Sequence, residues 1–381
     1  MNRARRVEGT TEKSSPPPAR LLVYRSGALG DFLLALPALA ALRATFPDAH
    51  LTVVGHSAAV GVARAEGLAD AVLGADAPEL TPLFATSPPS AASVPLPDTA
   101  VLWAGAAAQS LAANLRSLGV ARVLHVPSQP STESTQHVAD YLVGSLAPLG
   151  AVGREPAVPR LALDPAALAD VSAWLSREGD AAQRWVAYHP GSGSPRKNWP
   201  VAHFATVAAG LAAYGLRPVL LAGPAEADTF GAAALALRPQ RPLVARDWPL
   251  PGLAALLHLC AGYVGVDSGI THLAAAAGAR VVAVFGPTDP RRWAPRGPRV
   301  AIVRRPEAGE PGREPPGLAF VYPYSLGGLA PDAVLAAALR CFELIAEASA
   351  ASEKGARTRG PVLHAPTLQD GESATSCSSP R

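Results

Sequence analysis

Four stretches of this chain set small residues beside one charged or hydroxyl-bearing side chain, as sites on α/β sheets require. In the first, Ser26-Gly27-Ala28-Leu29-Gly30-Asp31 follows the apolar run Leu21–Tyr24 directly. Gly27 and Gly30 let the backbone turn sharply and approach a ligand, and a following helix would aim free N–H groups at it. Asp31 has two readings here: a helix N-cap, or a carboxylate at the carboxyl end of a parallel strand, where open sheets place their sites. The spacing is not the G-x-G-x-x-G of a dinucleotide site.

The second stretch runs from His189 to Pro200 and holds Gly191-Ser192-Gly193-Ser194 ahead of Lys197. Small residues let backbone amides face a phosphate and Lys197 adds a mobile point charge, but the G-K-[ST] order of a Walker loop is absent. The third is Ala222-Gly223-Pro224-Ala225-Glu226, whose carboxylate could accept from ribose hydroxyls or simply occupy a helix first turn. The fourth, Asp267-Ser268-Gly269-Ile270-Thr271-His272, runs on to Phe285–Pro290. Ser268-Gly269 opens a small-residue helix whose amides suit a diphosphate. Capping is the alternative for Asp267 and Ser268, and a core or capping role for His272.

Each stretch needs a strand before it. Leu21–Tyr24, Leu51–Gly55, Val101–Trp103 and Val123–Val126 read as short buried strands, with a helix to about Phe46 that Pro37 should kink or shorten. A helix over about 135–149 closes that half, and 76–98 reads as irregular loop. Strands recur at Trp185–His189, Pro218–Ala222, Gly262–Val266 and Val281–Phe285. Strand and helix in alternation predict parallel sheets. The chain is thus an α/β protein of two doubly wound domains facing across a cleft. The divisions are a disordered lead over 1–18, a first domain over 19–163, a linker helix over 164–182, a second domain over 183–346 and a disordered tail over 347–381.

Hydrophobic residues make up 49% and charged residues 17% of 381, which is a globular composition. A net charge of +3 without interleaved aromatics argues against nucleic acid. Cys260, Cys341 and Cys377 have no metal-ligand spacing and read as two packed thiols and a tail residue in a reducing compartment. No apolar run reaches the roughly 18 residues of a membrane span, and no signal-peptide pattern is visible. The expected location is the cytoplasm, although Arg3, Arg5, Arg6, Lys13 and Arg20 could touch an anionic membrane at its inner face.

The ordered set of motifs resembles the family nine glycosyltransferases, the ADP-heptose–lipopolysaccharide heptosyltransferases. Ser26–Asp31 with Leu33-Leu34 and Pro37-Ala38-Leu39, His189–Pro200, Ala222–Glu226, and Asp267–His272 with Phe285–Pro290 and Trp293 carry it, over roughly 21–295. The resemblance implies a GT-B fold of two Rossmann-like domains, an ADP-sugar donor on the second and an acceptor on the first. It further implies transfer with inversion and no metal or other cofactor. Position by position, it makes Asp31 the general base and puts Lys197, Ser192 and Ser194 on the leaving diphosphate. Glu226 goes to the ribose and Asp267 to the sugar hydroxyls; Ser268, Gly269 and His272 complete the phosphate seat, with Gly27 and Gly30 in the loop near the acceptor. That acceptor would be lipid-linked or an oligosaccharide of the lipopolysaccharide inner core. Other readings are a binding protein that keeps the shape without the activity, or a glycosyltransferase acting on a different glycan or natural product. A Rossmann dehydrogenase lacks its fingerprint here.

Overall fold

Alternate residues of Leu21-Leu22-Val23-Tyr24 feed two different cores. Leu21 and Val23 join one buried cluster and Leu22 and Tyr24 another, on opposite faces of one sheet. A strand buried on both faces must be apolar throughout, which is why it shows as a continuous run. This computed structural model describes residues 17–87, 89–153, 156–179, 182–223, 227–304, 320–321 and 326–344. Apart from Pro17 and Pro18, the expected lead and tail lie outside the described residues.

The first sheet holds β1 (Arg20–Arg25), β2 (His50–Gly55), β3 (Ala71–Gly74), β4 (Thr99–Trp103) and β5 (Arg122–Val126), in the order β3-β2-β1-β4-β5. Its helices are α1 (Leu29–Leu33), α2 (Leu36–Thr45), α3 (Gly61–Ala65), α4 (Gln109–Ser117) and α5 (Val138–Gly144). Then α6 (Pro165–Glu178) begins at Asp164, whose side chain accepts from the Ala166 N–H. The second sheet is ordered β12-β11-β10-β9-β6-β7-β8. Its strands are β6 (Arg184–His189), β7 (Leu216–Ala222), β8 (Leu243–Arg246), β9 (Gly262–Val266), β10 (Val281–Phe285), β11 (Val300–Arg304) and β12 (Phe320–Val321). Helices α7 (Val201–Ala212), α8 (Ala227–Leu237), α9 (Leu250–Leu259), α10 (Gly269–Ala276), α11 (Pro290–Trp293) and α12 (Pro331–Cys341) connect them. Every strand pairing is parallel.

Pro37 acts as expected. The chain turns at Leu34 and Ala35 after the five-residue α1, and α2 starts with Pro37 in its first turn, where a missing N–H costs nothing. The helix expected over 135–149 is shorter: it starts at Val138 and tightens into a 3₁₀ turn at Ala147–Leu149.

The strand orders fix where a ligand can sit. A doubly wound sheet opens a crevice where its order reverses, at the carboxyl ends of the two strands involved. Here those pairs are β1 with β4 and β6 with β9. The loops leaving β1, β6 and β9 are Ser26–Ala28, Pro190–Asn198 and Asp267–Ser268, three of the four stretches that the residue types single out.

Candidate active site

The loop after β1 turns on Gly27, whose φ of +129° is open to glycine alone. Asp31 is not the N-cap of α1. The cap is Ala28, which has no side-chain oxygen, and Asp31 is the third helical residue. Its carboxylate reaches back to accept from the Ala28 N–H at 3.1 Å, which supplies the missing cap from inside the helix. The other carboxylate oxygen lies 3.4 Å from Nη2 of Arg25. Arg25 is 2% exposed at the end of β1, and burial pulls its guanidinium below its ordinary value while Asp31 opposes that shift.

Across from α1 stands the start of α10. A Cβ on Gly30 would meet His272 Cδ2 at 3.1 Å and Gly269 Cα at 3.4 Å; one on Gly269 would meet Leu29 Cβ at 2.9 Å and Gly30 N at 3.0 Å. The two helix starts therefore touch backbone to backbone, and Gly30 and Gly269 permit it. Ser268 is the cap of α10 and accepts from the Thr271 N–H. Its hydroxyl also lies 3.2 Å from His189 Nδ1, joining the ends of β9 and β6. Thr271 anchors the turn from below, its hydroxyl against Val266 O and 2.8 Å from the Tyr263 hydroxyl.

With Ser268 capping, Asp267 does other work. It is 5% exposed and its Oδ2 lies 2.8 Å from Lys197 Nζ, an ion pair rather than an aligned hydrogen bond. The two residues expected to take separate duties toward a donor are thus paired with each other. His272 ties the cluster together. Burial holds its imidazole below the ordinary value, the carboxylates of Asp267 and Asp31 pull it back up, and Lys197 pushes it down again. Asp31 from the first sheet and Lys197, Asp267 and His272 from the second thus form one electrostatic set.

Ser192 and Ser194 are occupied within their own loop. Ser192 Oγ lies 2.8 Å from both Ser194 O and Asn198 Oδ1 and accepts from the Ser194 N–H. The loop is fastened below by Trp199, whose indole N–H donates to Leu329 O at 3.1 Å. Glu226 lies outside the described residues. Among the described residues, no group of three His, Cys, Asp or Glu side chains is placed to hold a metal ion.

Beside this cluster, at the carboxyl ends of β6, β7 and β8, lies a cavity of about 990 Å³. His189, Leu221, Ala222, Asp247, Trp248 and Leu250 form part of it, and Gly61, Val62 and Glu66 of the first domain close the opposite wall. Asp247 has a left-handed backbone, φ +55°, and donates its N–H to Ala222 O. Burial pushes the Glu66 carboxyl up, and the Ala162 N–H that it accepts opposes the shift. Sequence reasoning missed this shared wall and Arg25. A charged residue ending an apolar strand just before a glycine loop was the available signal for Arg25.

Residues 112–315 match glycosyltransferase family 9 (heptosyltransferase). Lipopolysaccharide heptosyltransferase 3 of Escherichia coli is 34% identical over 127 residues, which are 32% of this chain and 37% of that protein. The chain thus covers little more than a third of that relative. Among solved structures, the glycosyl transferase family 9 of Veillonella parvula DSM 2008 superposes with a TM-score of 0.69 at 19% identity, over 85% of this chain and 97% of that one. Escherichia coli ADP-heptose LPS heptosyltransferase II gives 0.65 at 17% identity, over 85% and 99%. Both share the GT-B arrangement of two parallel-sheet α/β domains. The family match covers more than half of the sequence and includes the loops after β6 and β9. The chain belongs to glycosyltransferase family 9, the heptosyltransferase family.

Proposed function

We propose that this protein moves a heptosyl or related unit from an ADP-sugar to an acceptor of the lipopolysaccharide inner-core type, with inversion and without a metal. The reading rests on one observation: α1, which carries Asp31, packs at Gly30 against His272 and Gly269 of α10, beside the Lys197–Asp267 pair. Asp31 takes the proton of the acceptor hydroxyl as its oxygen attacks the anomeric carbon from the face opposite the leaving group. The bond from that carbon to the phosphate oxygen breaks, and ADP departs with the electron pair. General-base help of this kind is worth about 10²–10⁴-fold.

The departing diphosphate needs positive charge and oriented N–H groups. Lys197 and the first amides of α10 supply them. Lys197 leaves Asp267 for the phosphates when the donor enters, which frees the Asp267 carboxylate for sugar hydroxyls. His272, beside Gly30 at the same junction, completes the phosphate seat. The nucleoside occupies the cavity at the ends of β6, β7 and β8, with Glu226 toward the ribose and α3 as the far wall. Ser192 and Ser194 shape the phosphate loop through their mutual bonds. The acceptor approaches from the first domain, at the cytoplasmic side of the inner membrane.

Mass spectrometry of lipopolysaccharide from cells with and without the protein tests the reading. The expected result is a core lacking one heptose-sized unit and everything beyond it; an unchanged core would overturn the acceptor class. Turnover of ADP-heptose should also survive EDTA. A requirement for added Mg²⁺ or Mn²⁺ would mean that Lys197 does not carry the leaving-group charge.

A further inference from the structure

The reading above gives Asp31 a task but does not say what aims it, and α1 is too short to do so. The helix has five residues and no side-chain cap of its own. The Ala28 N–H holds one carboxylate oxygen and Arg25 the other, and the three bonded nitrogens of Arg25 all go to this neighbourhood. Nε donates to Asp31 O at 3.3 Å, Nη2 to Asp31 Oδ1 at 3.4 Å and Nη1 to Ser128 O at 2.8 Å. A guanidinium is a planar fork of fixed geometry, so three bonds to two segments fix those segments relative to each other. Burying such a group is costly, and the sequence spends it at the last residue of β1 rather than in the core.

Ser128 is the second residue of the loop after β5, on the other side of the same switch point. Arg292 reaches that loop from the second domain, donating to Pro130 O at 3.0 Å and Thr132 O at 3.3 Å. The loop is therefore gripped from both domains, and on the first-domain side the gripping residue also holds Asp31.

We infer that Arg25 is the positioning residue of this site, locking the Asp31 carboxylate toward the acceptor hydroxyl and tying it to the loop at 128–132. The inference rests on Asp31 being the base. Asp31 faces Arg25 from β1 and His272 from α10, and His272 in turn feels Asp267 and Lys197. Among the described residues Arg25 is the cation in direct contact with the carboxylate, so losing it should leave the base without its aim.

The test is a mutant cycle on ADP release from ADP-heptose with a heptose-deficient lipopolysaccharide as acceptor. Arg25→Met should lower kcat about 10²-fold, in line with a misplaced catalytic group. It should leave ADP affinity by calorimetry unchanged. Arg25→Lys, which keeps the charge but not the planar fork, should regain about tenfold of that loss. In an Asp31→Asn background, Arg25→Met should cost less than about threefold, because the group it aims is gone. A wild-type kcat in Arg25→Met would overturn the inference, as would the same loss with and without Asp31, which would mark a purely structural arginine. Should Arg25→Met fail to fold, the cycle with Arg25→Lys decides: about tenfold alone and under threefold beside Asp31→Asn supports positioning, and equal losses refute it. If Asp31→Asn alone keeps near-normal turnover, the base assignment fails first, and the role of Arg25 falls with it.

Discussion

Where α1 meets α10 the two domains touch through bare backbone, Gly30 against Gly269, with His272 beside them. Where α5 meets the segment around α11 they are joined by long side chains. Arg296 grips Asp140 through two nitrogens at 2.6 Å each, His137 bonds Ala294 O at 2.9 Å, and Arg292 holds the loop at 130–132. The second contact spends its polar groups on joining the domains. The first spends almost none: Asp31 is held by Arg25 and the Ala28 N–H, and Lys197 by Asp267, each pair within its own domain. Division of labour between two seams lets a small junction carry chemistry without also bearing the assembly. Substitutions at each seam should therefore fail in different ways.

The largest effect is expected at Asp31. Asp31→Asn should lower turnover by about 10²–10⁴-fold, because an amide cannot take the acceptor proton. Read as an N-cap, the residue would exchange for Asn at no cost in stability. Its actual place inside the first turn, paired with buried Arg25, changes that expectation. One amide oxygen can still serve the Ala28 N–H, but the charge facing the guanidinium is lost, and hydrogen bonds to charged groups contribute about 1.5–3 kcal/mol. Asp31 is partly exposed, so a loss of about 1 kcal/mol by thermal melting is expected. Near-normal turnover per folded molecule would leave the carboxylate as a cap and end its catalytic assignment.

The other seam should respond to pH instead of turnover. His137 caps α5 by accepting from the Ala139 N–H at Nδ1, so its proton sits on Nε2 and is donated to Ala294 O. Protonating Nδ1 would break the cap. Burial, with Arg296 adding to it, holds the imidazole down at about 4 against an ordinary 6.5. Between those values the unfolded chain binds more protons than the folded one. The stability is thus complete above pH 6.5 and is lost as pH falls toward 4, by about 3 kcal/mol at the full shift. His137→Asn keeps a cap acceptor and should flatten this part of the pH dependence in chemical denaturation. Equal slopes for the two proteins would show that the seam does not titrate.

How legible these seams were in the sequence depended on distance along the chain. The strand runs were plain because both faces of each sheet are buried, and glycines after strand ends marked the loops that carry Asp31, Lys197 and Asp267. The pairing of Lys197 with Asp267 joins loops after different strands, and nothing local announces it. Ala28 carries no capping signal, so the N-cap alternative for Asp31 puts the helix start three residues too late. The cavity wall at 61–66 comes from a short helix of the other domain, while β3 and β8 are four-residue strands too brief to show a period. Asp140 and Arg296 lie 156 positions apart, and only the fold brings them together.

A smaller effect tests the bare contact itself. Gly269→Ala places a methyl 2.9 Å from Leu29 Cβ and 3.0 Å from the Gly30 backbone nitrogen, too close for either without movement. Overpacking of this kind costs about 1–3 kcal/mol. The two helix starts should part, with turnover falling more steeply than ADP affinity, since donor groups and base are on opposite sides of the junction. A variant with wild-type stability and rate would show that the backbone contact is not needed for the site.

The smallest change separates capping from donor binding at Ser268. Its hydroxyl already meets the Thr271 N–H at 3.4 Å, Thr271 Oγ1 at 3.2 Å and His189 Nδ1 at 3.2 Å, which uses its donor and acceptor capacity without a ligand. Ser268→Ala should therefore cost about 1 kcal/mol, the usual loss for an N-cap. The amides at the start of α10 remain for the diphosphate, so ADP affinity by calorimetry should fall by no more than a few-fold. Ser268→Asn, which restores a cap acceptor, should recover the stability. If the alanine variant instead keeps its melting temperature and loses ADP binding by a factor of about ten or more, a 1.4 kcal/mol difference, the hydroxyl itself holds the donor. Ser268 would then match the double part proposed for Asp31 on the other helix, one side chain serving both as a cap and in the chemistry.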